Sequence, residues 1–492
     1  MKRKSMGANA VLSAVKTALG VIFPLITFPY ATRTLGAENV GRFDFASSAV
    51  SYAVLLSALG FRMYAIRECS RVRGDRKRLD DLGSSIFTIN VVSSVAAYVI
   101  LAALCVFVPK LRANWILIAI LSLEIAFTTV GCEWVYTVFE DFLYITVRYL
   151  CIHLVSLVLL FCFVRTQEDL VKYTILSVGA LGAACVANVV GRRRYCRIRL
   201  TRHVEAKTHL PPIMVFFFNN LSTTIYVNSD RLILGFMTSY TYTGLYYVAA
   251  RIYSIVKSIL ASVINVAVPR LSEYWSENAV DKVKETCGRI FSVLLILSVP
   301  AMAGLITLSR QIVLLLSGAE YERSYVSLAI LGVALLVAVF SWFYKSCILI
   351  PAKHEKKVMA ATVTAAAVNI VLNLILIPFF QEKAAAFTTV VAEAISLTMM
   401  LLASRKVLRI RVSLREVLTV LGGSALIVLI CKTAEFLAGE NPLLIIVTAI
   451  PASVLSYGAV LLLAKNPYAL AGLAAVGRKA KQILKPRGKD RE

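Results

Sequence analysis

Acidic residues are scarce in this chain: 28 Asp plus Glu stand against 53 Lys plus Arg, a net charge of +25. Histidine occurs only four times, as His153, His203, His209 and His354, and none clusters with a cysteine. No two of the ten cysteines form a CxxC pair, so a structural zinc site has no framework. Most of them (Cys105, Cys151, Cys162, Cys185 and Cys347 among these) fall inside apolar runs and read as small buried side chains. There is no P-loop, no HExxH and no GxSxG. The longest candidate soluble loop, 192–210, is too short to form a nucleotide-binding domain. The expectation is a protein that is not an enzyme and needs no cofactor. If it moves a solute, the energy comes from an ion gradient, from the solute's own gradient or from downstream consumption.

What the chain has in abundance is apolar length. Hydrophobic residues make up 59% of its 492 positions and the mean hydropathy is +0.76, too apolar for a soluble protein of this size to cover itself. Runs such as 84–108, 238–268 and 358–379 are long enough to cross about 30 Å of hydrocarbon as helices. Helices satisfy their own backbone where water is absent, and the periodicity is wrong for a barrel. The fold class expected is an all-α polytopic membrane protein. Its fourteen candidate helices cover about 9–31, 43–66, 84–108, 114–136, 142–164, 169–191, 211–236, 243–268, 285–308, 325–350, 358–379, 384–403, 416–437 and 442–464. "MKRKS" and the following run resemble a signal peptide at first sight, but the run reaches full spanning length and reads as a retained first helix.

The basic residues then orient the chain. An even number of spans puts both termini on one side. Alternate loops starting with the N-terminal tail hold 35 basic residues, the opposite loops eight, and the helices the remaining ten. That excess of about four to one is a positive-inside signal, so both termini are expected in the cytoplasm. The net charge is then a topology signal, with attraction to anionic membrane lipids as its by-product. It removes the need for a nucleic-acid partner. The tail 468–492 alternates small apolar residues with lysines, as an interfacial helix or a disordered tail would.

A stretch near the start, "FPYATRTLGAENVGRFDFA" (28–46), sits between two apolar runs at the outer edge. It has a counterpart. From Gly41, an alanine (Ala46) follows five residues on and an arginine (Arg67) twenty-six on; the same spacing runs from Gly244 to Ala249 and Arg270. The copies lie six helices apart and so share one orientation, as in transporters built from parallel repeats with a site between the halves. The expected organisation is a six-helix bundle over 1–191, a basic cytoplasmic linker over 192–210, a second bundle over 211–403, two further helices over 404–464 and a basic tail over 465–492.

Charges at bilayer depth cost about 2.5–3.5 kcal/mol each on insertion scales, so they should line a cavity or be paired. Lys16, Lys172, Arg289 and Lys432 read as snorkelling or interfacial. Arg148, Arg251 and Lys345, with Arg62, Arg231 and Arg33, read as the wall of a cationic cavity. The interior acids are fewer: Glu124, Glu133, Asp230 and Glu393, of which Glu133, Asp230 and Glu393 are candidates for ion coupling. Asn219, Asn369 and Asn373 supply polar lining, for hydrogen bonds between helices or to sugar hydroxyls. The guest of such a cavity is large and anionic, and arginine forks match phosphate or pyrophosphate.

Several blocks together resemble the polysaccharide-transport (Wzx-type) flippases of the MOP superfamily. They are the 28–46 stretch with Pro29, Arg33, Leu35-Gly36 and Gly41, then "LGFRMYAIRE" (59–68), "EWVYTVFEDFLYITVR" (133–148), "SDRLILGFM" with "YTGLYYVAARI" (229–252), "VPRLS" (268–272), "LSGAEYERS" (316–324), "ILIPAKHEKK" (348–357), "NIVLNLILIP" (369–378) and "AAAFTTVVAE" (384–393). Their order carries the resemblance over about residues 10–405. Thr137-Val138 departs from the Gln-Gly frequent there, and Ala384 from a usual glycine. The resemblance implies two facing six-helix bundles and alternating access. It also implies an undecaprenyl-pyrophosphate-linked oligosaccharide crossing a bacterial cytoplasmic membrane for O-antigen, capsule or exopolysaccharide, beside other polysaccharide-assembly proteins. Arg148, Arg251 and Lys345 would hold the pyrophosphate or acidic sugars, with Arg33, Asp230 and Arg231 near the outer end of the path. A multidrug or cation exporter of the same superfamily is the alternative, disfavoured by the intramembrane cations. A glycan polymerase or ligase would want a large outer loop, and a scaffold would not need charges in the membrane.

Overall fold

Glycine and proline break the apolar runs where the helices bend. In the computed structural model, which describes residues 6–202, 204–410 and 413–470, every regular element among the described residues is helical. In chain order these are α1 (Met6–Ala58), α2 (Phe61–Arg71), α3 (Arg76–Phe107), α4 (Pro109–Arg112), α5 (Trp115–Gly131), α6 (Trp134–Val138), α7 (Phe142–Phe163) and α8 (Leu170–Arg192). There follow α9 (Ala206–Met237), α10 (Tyr240–Ser276), α11 (Val280–Thr307), α12 (Ser309–Ser317), α13 (Ser324–Phe343), α14 (Glu355–Ser404), α15 (Leu414–Ala438) and α16 (Pro442–Leu463). Among the described residues, eleven stretches are long and apolar enough to cross a membrane. Two of these are double: α1 is broken at Gly36 (φ 77°) and α14 at Gln381 (φ 52°). With the shorter apolar α5 they account for the fourteen segments read from the sequence. The interfacial helix or tail expected over 468–492 falls mostly on residues from 471 onward, outside those described.

The chain forms two compact units. The first comprises 1–248 with 316–324 and 362–388; the second comprises 249–315, 325–361 and 389–492. In the first, Phe45, Val50, Leu117, Ile118, Leu121 and Ile125 interlock α1 with α5. A second cluster, including Phe61, Leu79, Ile86, Trp134 and Ile213, joins α2, α3, α6 and α9. In the second unit, α11, α15 and α16 pack through Ile296, Val299, Val420, Ile427, Ile445 and Tyr457. Outside these cores, large apolar side chains such as Phe107, Val266, Phe436 and Leu463 are exposed. Apolar exposure on this scale would be insoluble in water and is the surface a bilayer covers.

The sequence repeat has a physical counterpart inside the first unit. A Cβ on Gly41 would sit 1.8 Å from the Tyr240 carbonyl oxygen, and one on Gly244 would sit 2.0 Å from that of Ala37. Each glycine therefore faces the carbonyl four residues before the other. Only two glycines let α1 and α10 approach this closely, the small-residue contact typical of membrane helices. Of the positions matched by the repeat, the two glycines are the ones that meet.

Gly36 has a different task. Its positive φ turns the chain and leaves the amides of the following helical segment without partners. Glu320 supplies one: its carboxylate accepts the Ala37 N–H at 2.7 Å. Next to it, Tyr321 is fully buried and donates its hydroxyl to the Thr32 carbonyl at 3.2 Å. The segment 316–324 thus belongs to the first unit, although the chain on either side of it belongs to the second.

Candidate functional site

The span expected over 114–136 is interrupted. α5 stops at Gly131 because Cys132 takes a left-handed conformation, φ 42°, ψ 47°, at a cost of about 1–2 kcal/mol for an L-residue. α6 starts at Trp134, so Glu133 occupies the break itself. Three basic side chains converge on its carboxylate. Lys16 Nζ of α1 lies 3.2 Å away, Arg62 of α2 3.6 Å, and Arg148 of α7 3.1 Å. Arg148 also donates to the side-chain oxygen of Asn188 on α8 and lies over the Tyr144 ring at 5.6 Å. The Tyr136 hydroxyl donates to the Asn188 carbonyl at 2.8 Å and holds that helix in place.

Exposure differs sharply within this cluster. The Arg148 side chain is 7% exposed, Glu133 is 32% and Arg62 is 63%. The buried Arg148 Nε has no hydrogen-bond partner among the described residues. One carboxylate against three cations leaves two positive charges uncompensated. Beside them lies a cavity of about 240 Å³, whose polar lining includes Arg62, Glu133, Asn188, Asn90 and Thr128. Sites for drug-sized ligands run about 300–1,000 Å³, so this one suits a single headgroup such as a phosphate, diphosphate or one sugar. The chemistry available is anion binding with bidentate donors, partly shielded from water.

A second polar nest lies in the same unit. Asp44 on α1 pairs with Arg231 on α9 at 3.3 Å, and Arg231 stacks over Tyr247. Asp230 next to it accepts from Asn373 Nδ2 at 2.6 Å and from the Tyr246 hydroxyl at 2.8 Å. Asn373 bonds Asn369 at 3.1 Å and accepts from Thr388, and Ser229 donates to Asn369. These groups are nearly all buried and supply an unusual density of oxygen around one carboxylate.

In the second unit, Glu393 pairs with Lys257 at 2.8 Å, and Lys257 also donates to the Tyr253 hydroxyl at 3.1 Å. Lys345 sits on a π-helical turn, Tyr344–Leu349, with its ammonium 5.3 Å from the Trp342 ring centre. Such turns recur at functional positions. Arg251 is half-buried, and its buried Nε has no hydrogen-bond partner.

Comparison with known proteins decides the family. A family model described as polysaccharide biosynthesis protein matches residues 6–275, more than half of the chain. This chain belongs to that family. A curated relative, "Putative O-antigen transporter" of Escherichia coli (strain K12), is 22% identical over 380 residues, covering 75% of this chain and 89% of the relative. Among solved structures, the lipid II flippase MurJ in an inward closed conformation superposes with TM-score 0.69 at 15% identity, covering 94% of this chain and all of that one. A MATE protein in complex with MaD3S gives 0.52 at 13% identity, covering 81% of this chain and 94% of that one. The fold is that of the MurJ and MATE structures, and the chain is a multi-pass membrane protein.

Within this polysaccharide biosynthesis protein the predicted residues fall into separate groups. Arg62, Arg148 and Glu133 come together, and Lys16, expected to snorkel, joins them. Asp230, Asn369 and Asn373 form the second nest with Arg231 at its edge. Glu393, Arg251 and Lys345 lie in the second unit. Arg33 is exposed beside Gly318, and the side chain of Asn219 lies outside the described residues. Glu124 is half-buried on α5. Lys172, Arg289 and Lys432 form short-range pairs with Asp169, Glu285 and Glu435, as interfacial residues do. Four residues escaped the sequence reading. Asp44 lies in the 28–46 stretch, Asn188 and Thr388 are single polar groups in apolar runs, and Lys257 is one of the ten basic residues within helices. Only the three-dimensional pairing distinguishes them.

Proposed function

We propose that this protein translocates a lipid-linked oligosaccharide, carried on undecaprenyl pyrophosphate, across the bacterial cytoplasmic membrane by alternating access. The observation that carries this reading is the convergence of Lys16, Arg62 and Arg148 on a single carboxylate beside a cavity of about 240 Å³. Two uncompensated positive charges match a diphosphate, and guanidinium forks match its oxygens. The loop-charge asymmetry puts both termini in the cytoplasm. It also puts the Glu133 break at the cytoplasmic end of its helix, where a lipid made in the inner leaflet arrives. Arg251 and Lys345 are further cations for the diphosphate or acidic sugars. Asp230, ringed by amide and hydroxyl groups, is the candidate for ion coupling; Glu393 is engaged with Lys257. No bond of the substrate is made or broken.

The test is complementation of a flippase-null strain. Arg148→Ala and Arg148→Lys, confirmed as membrane-inserted, should lose surface glycan, with lysine retaining a part because it lacks the fork. Wild-type glycan from both variants would remove the cluster from the mechanism. Resistance to cationic dyes on overexpression would favour the exporter reading instead.

A further inference from the structure

We infer that Glu133 is a resident anion, an internal stand-in for the substrate's diphosphate that the arriving lipid must displace. The inference rests on the proposed binding of a diphosphate by this cluster and adds how that binding is held in check. Three features of the geometry lead to it.

First, Glu133 is held by the groups a diphosphate would want. Its two oxygens divide the cations, Oε1 with Lys16 and Arg62, Oε2 with Arg148. That is a bridging pattern a diphosphate reproduces with more oxygens and more charge. Second, the carboxylate lines the cavity together with Arg62 and Asn188, whereas Lys16 and Arg148 touch it without lining the cavity. From the cavity, access to Lys16 and Arg148 therefore runs past the carboxylate, while Arg62 shares the cavity wall with it. Third, Glu133 stands at a helix break held open by a left-handed Cys132. A residue between two helices can swing its side chain aside without disturbing either hydrogen-bond ladder, and strain stored at such a point marks functional positions.

The physical advantage concerns release. A buried cationic cluster without a counter-ion is costly when empty and binds a multivalent anion so firmly that it hardly lets go. A pathway must bind well enough to admit its cargo and weakly enough to lose it. With a resident carboxylate, loading becomes an exchange of one anion for another. Its net gain is the difference between diphosphate and carboxylate rather than the whole attraction. Unloading is then assisted by Glu133 returning to its three partners.

The experiment uses the full-length protein in nanodiscs, with undecaprenyl pyrophosphate as probe and undecaprenol as the uncharged control. Glu133→Gln keeps the shape and removes the charge. It should bind undecaprenyl pyrophosphate at least tenfold more tightly than wild type, with unchanged affinity for undecaprenol. It should complement the flippase-null strain poorly, because the cargo is retained. Glu133→Asp, whose shorter side chain reaches the three cations less well, should fall between the two. If Glu133→Gln fails to fold, the affinity of Glu133→Asp decides. Unchanged or weaker binding by the decisive variant overturns the inference. In that case, Arg148→Ala still weakening the binding leaves the diphosphate site standing. Binding insensitive to both Arg148→Ala and the Glu133 variants overturns the site as well.

Discussion

Each unit of the molecule pairs a glutamate with a lysine that lies near a tyrosine ring, Lys16 by Tyr149 and Lys257 by Tyr253, and the two arrangements differ in their charge balance. In the second unit, Glu393 has Lys257 at 2.8 Å and a 6% exposed side chain. In direct contact the charges match one to one, the Tyr253 hydroxyl completes the network, and Lys345 lies within electrostatic reach of both charges. In the first unit, Glu133 has three cations, is 32% exposed and borders a cavity. A matched buried pair has nothing left to offer a ligand. An unmatched one keeps part of its field for something that is not protein. The difference separates an ion pair that fastens helices from one that awaits a charged guest, and residue type alone does not reveal it.

The comparison breaks most visibly at Lys257. A buried pair that loses one member leaves an uncompensated charge, at a cost of about 3–5 kcal/mol, whereas replacing both by apolar groups of similar size is often neutral. Lys257→Met should therefore lower thermal stability sharply, and Lys257→Met with Glu393→Leu should recover most of the loss. Measured unfolding in detergent checks it. A double variant no more stable than the single one would mean that Glu393 has work beyond fastening, and ion coupling would be the first candidate.

The Glu133 cluster should respond in the opposite way. Removing Arg148 leaves Lys16 and Arg62 to neutralise the carboxylate, so the fold survives, while Asn188 loses its partner at a cost of about 1–3 kcal/mol. Transport should suffer far more than stability. Loss of one member of a buried, hydrogen-bonded charge contact costs binding about 2–5 kcal/mol, or 30-fold and upward at about 1.4 kcal/mol per tenfold. Cell-surface glycan and thermal unfolding, measured on the same preparation of Arg148→Ala, give the ratio. Equal losses in both would place Arg148 with Lys257 as a fastener.

How much of this was legible beforehand follows from what each kind of signal depends on. The fold was read well because membrane spans are written in continuous apolar length and loop charge, both local in sequence. Spacing matched Gly41 with Gly244 in the sequence, but their contact is a product of helix packing that only the structure shows. The break at Gln381 falls in the gap between the helices expected over 358–379 and 384–403, whereas the break at Cys132 lies inside the span expected over 114–136 and was invisible, because a cysteine does not advertise positive φ as glycine does. The candidate site was read as a set of charges without pairings. Lys16 looked like an interfacial lysine until Glu133, 117 residues away, was brought beside it. Depth along the bilayer normal says where a charge lies, and the azimuth of each helix, which decides its partners, depends on tertiary packing.

A third carboxylate extends the comparison with the smallest effect. Glu320 meets the backbone at Gly36: its Oε1 accepts the first amide after the break, at 2.7 Å. A helix N-terminus carries about half a positive charge, so the helix itself stands in for the cation. Glu320→Gln keeps an acceptor oxygen and loses the charge, which should cost about 0.3–1 kcal/mol. Glu320→Ala loses the cap as well and should cost about 1 kcal/mol, within the range of N-cap substitutions. The two variants rank the contributions by thermal unfolding. If alanine and glutamine are equally destabilised, the charge carries the effect; if only alanine is, the hydrogen bond does. Stability unchanged in both would show that Tyr321, buried beside it and bonded to Thr32, secures the 316–324 segment alone.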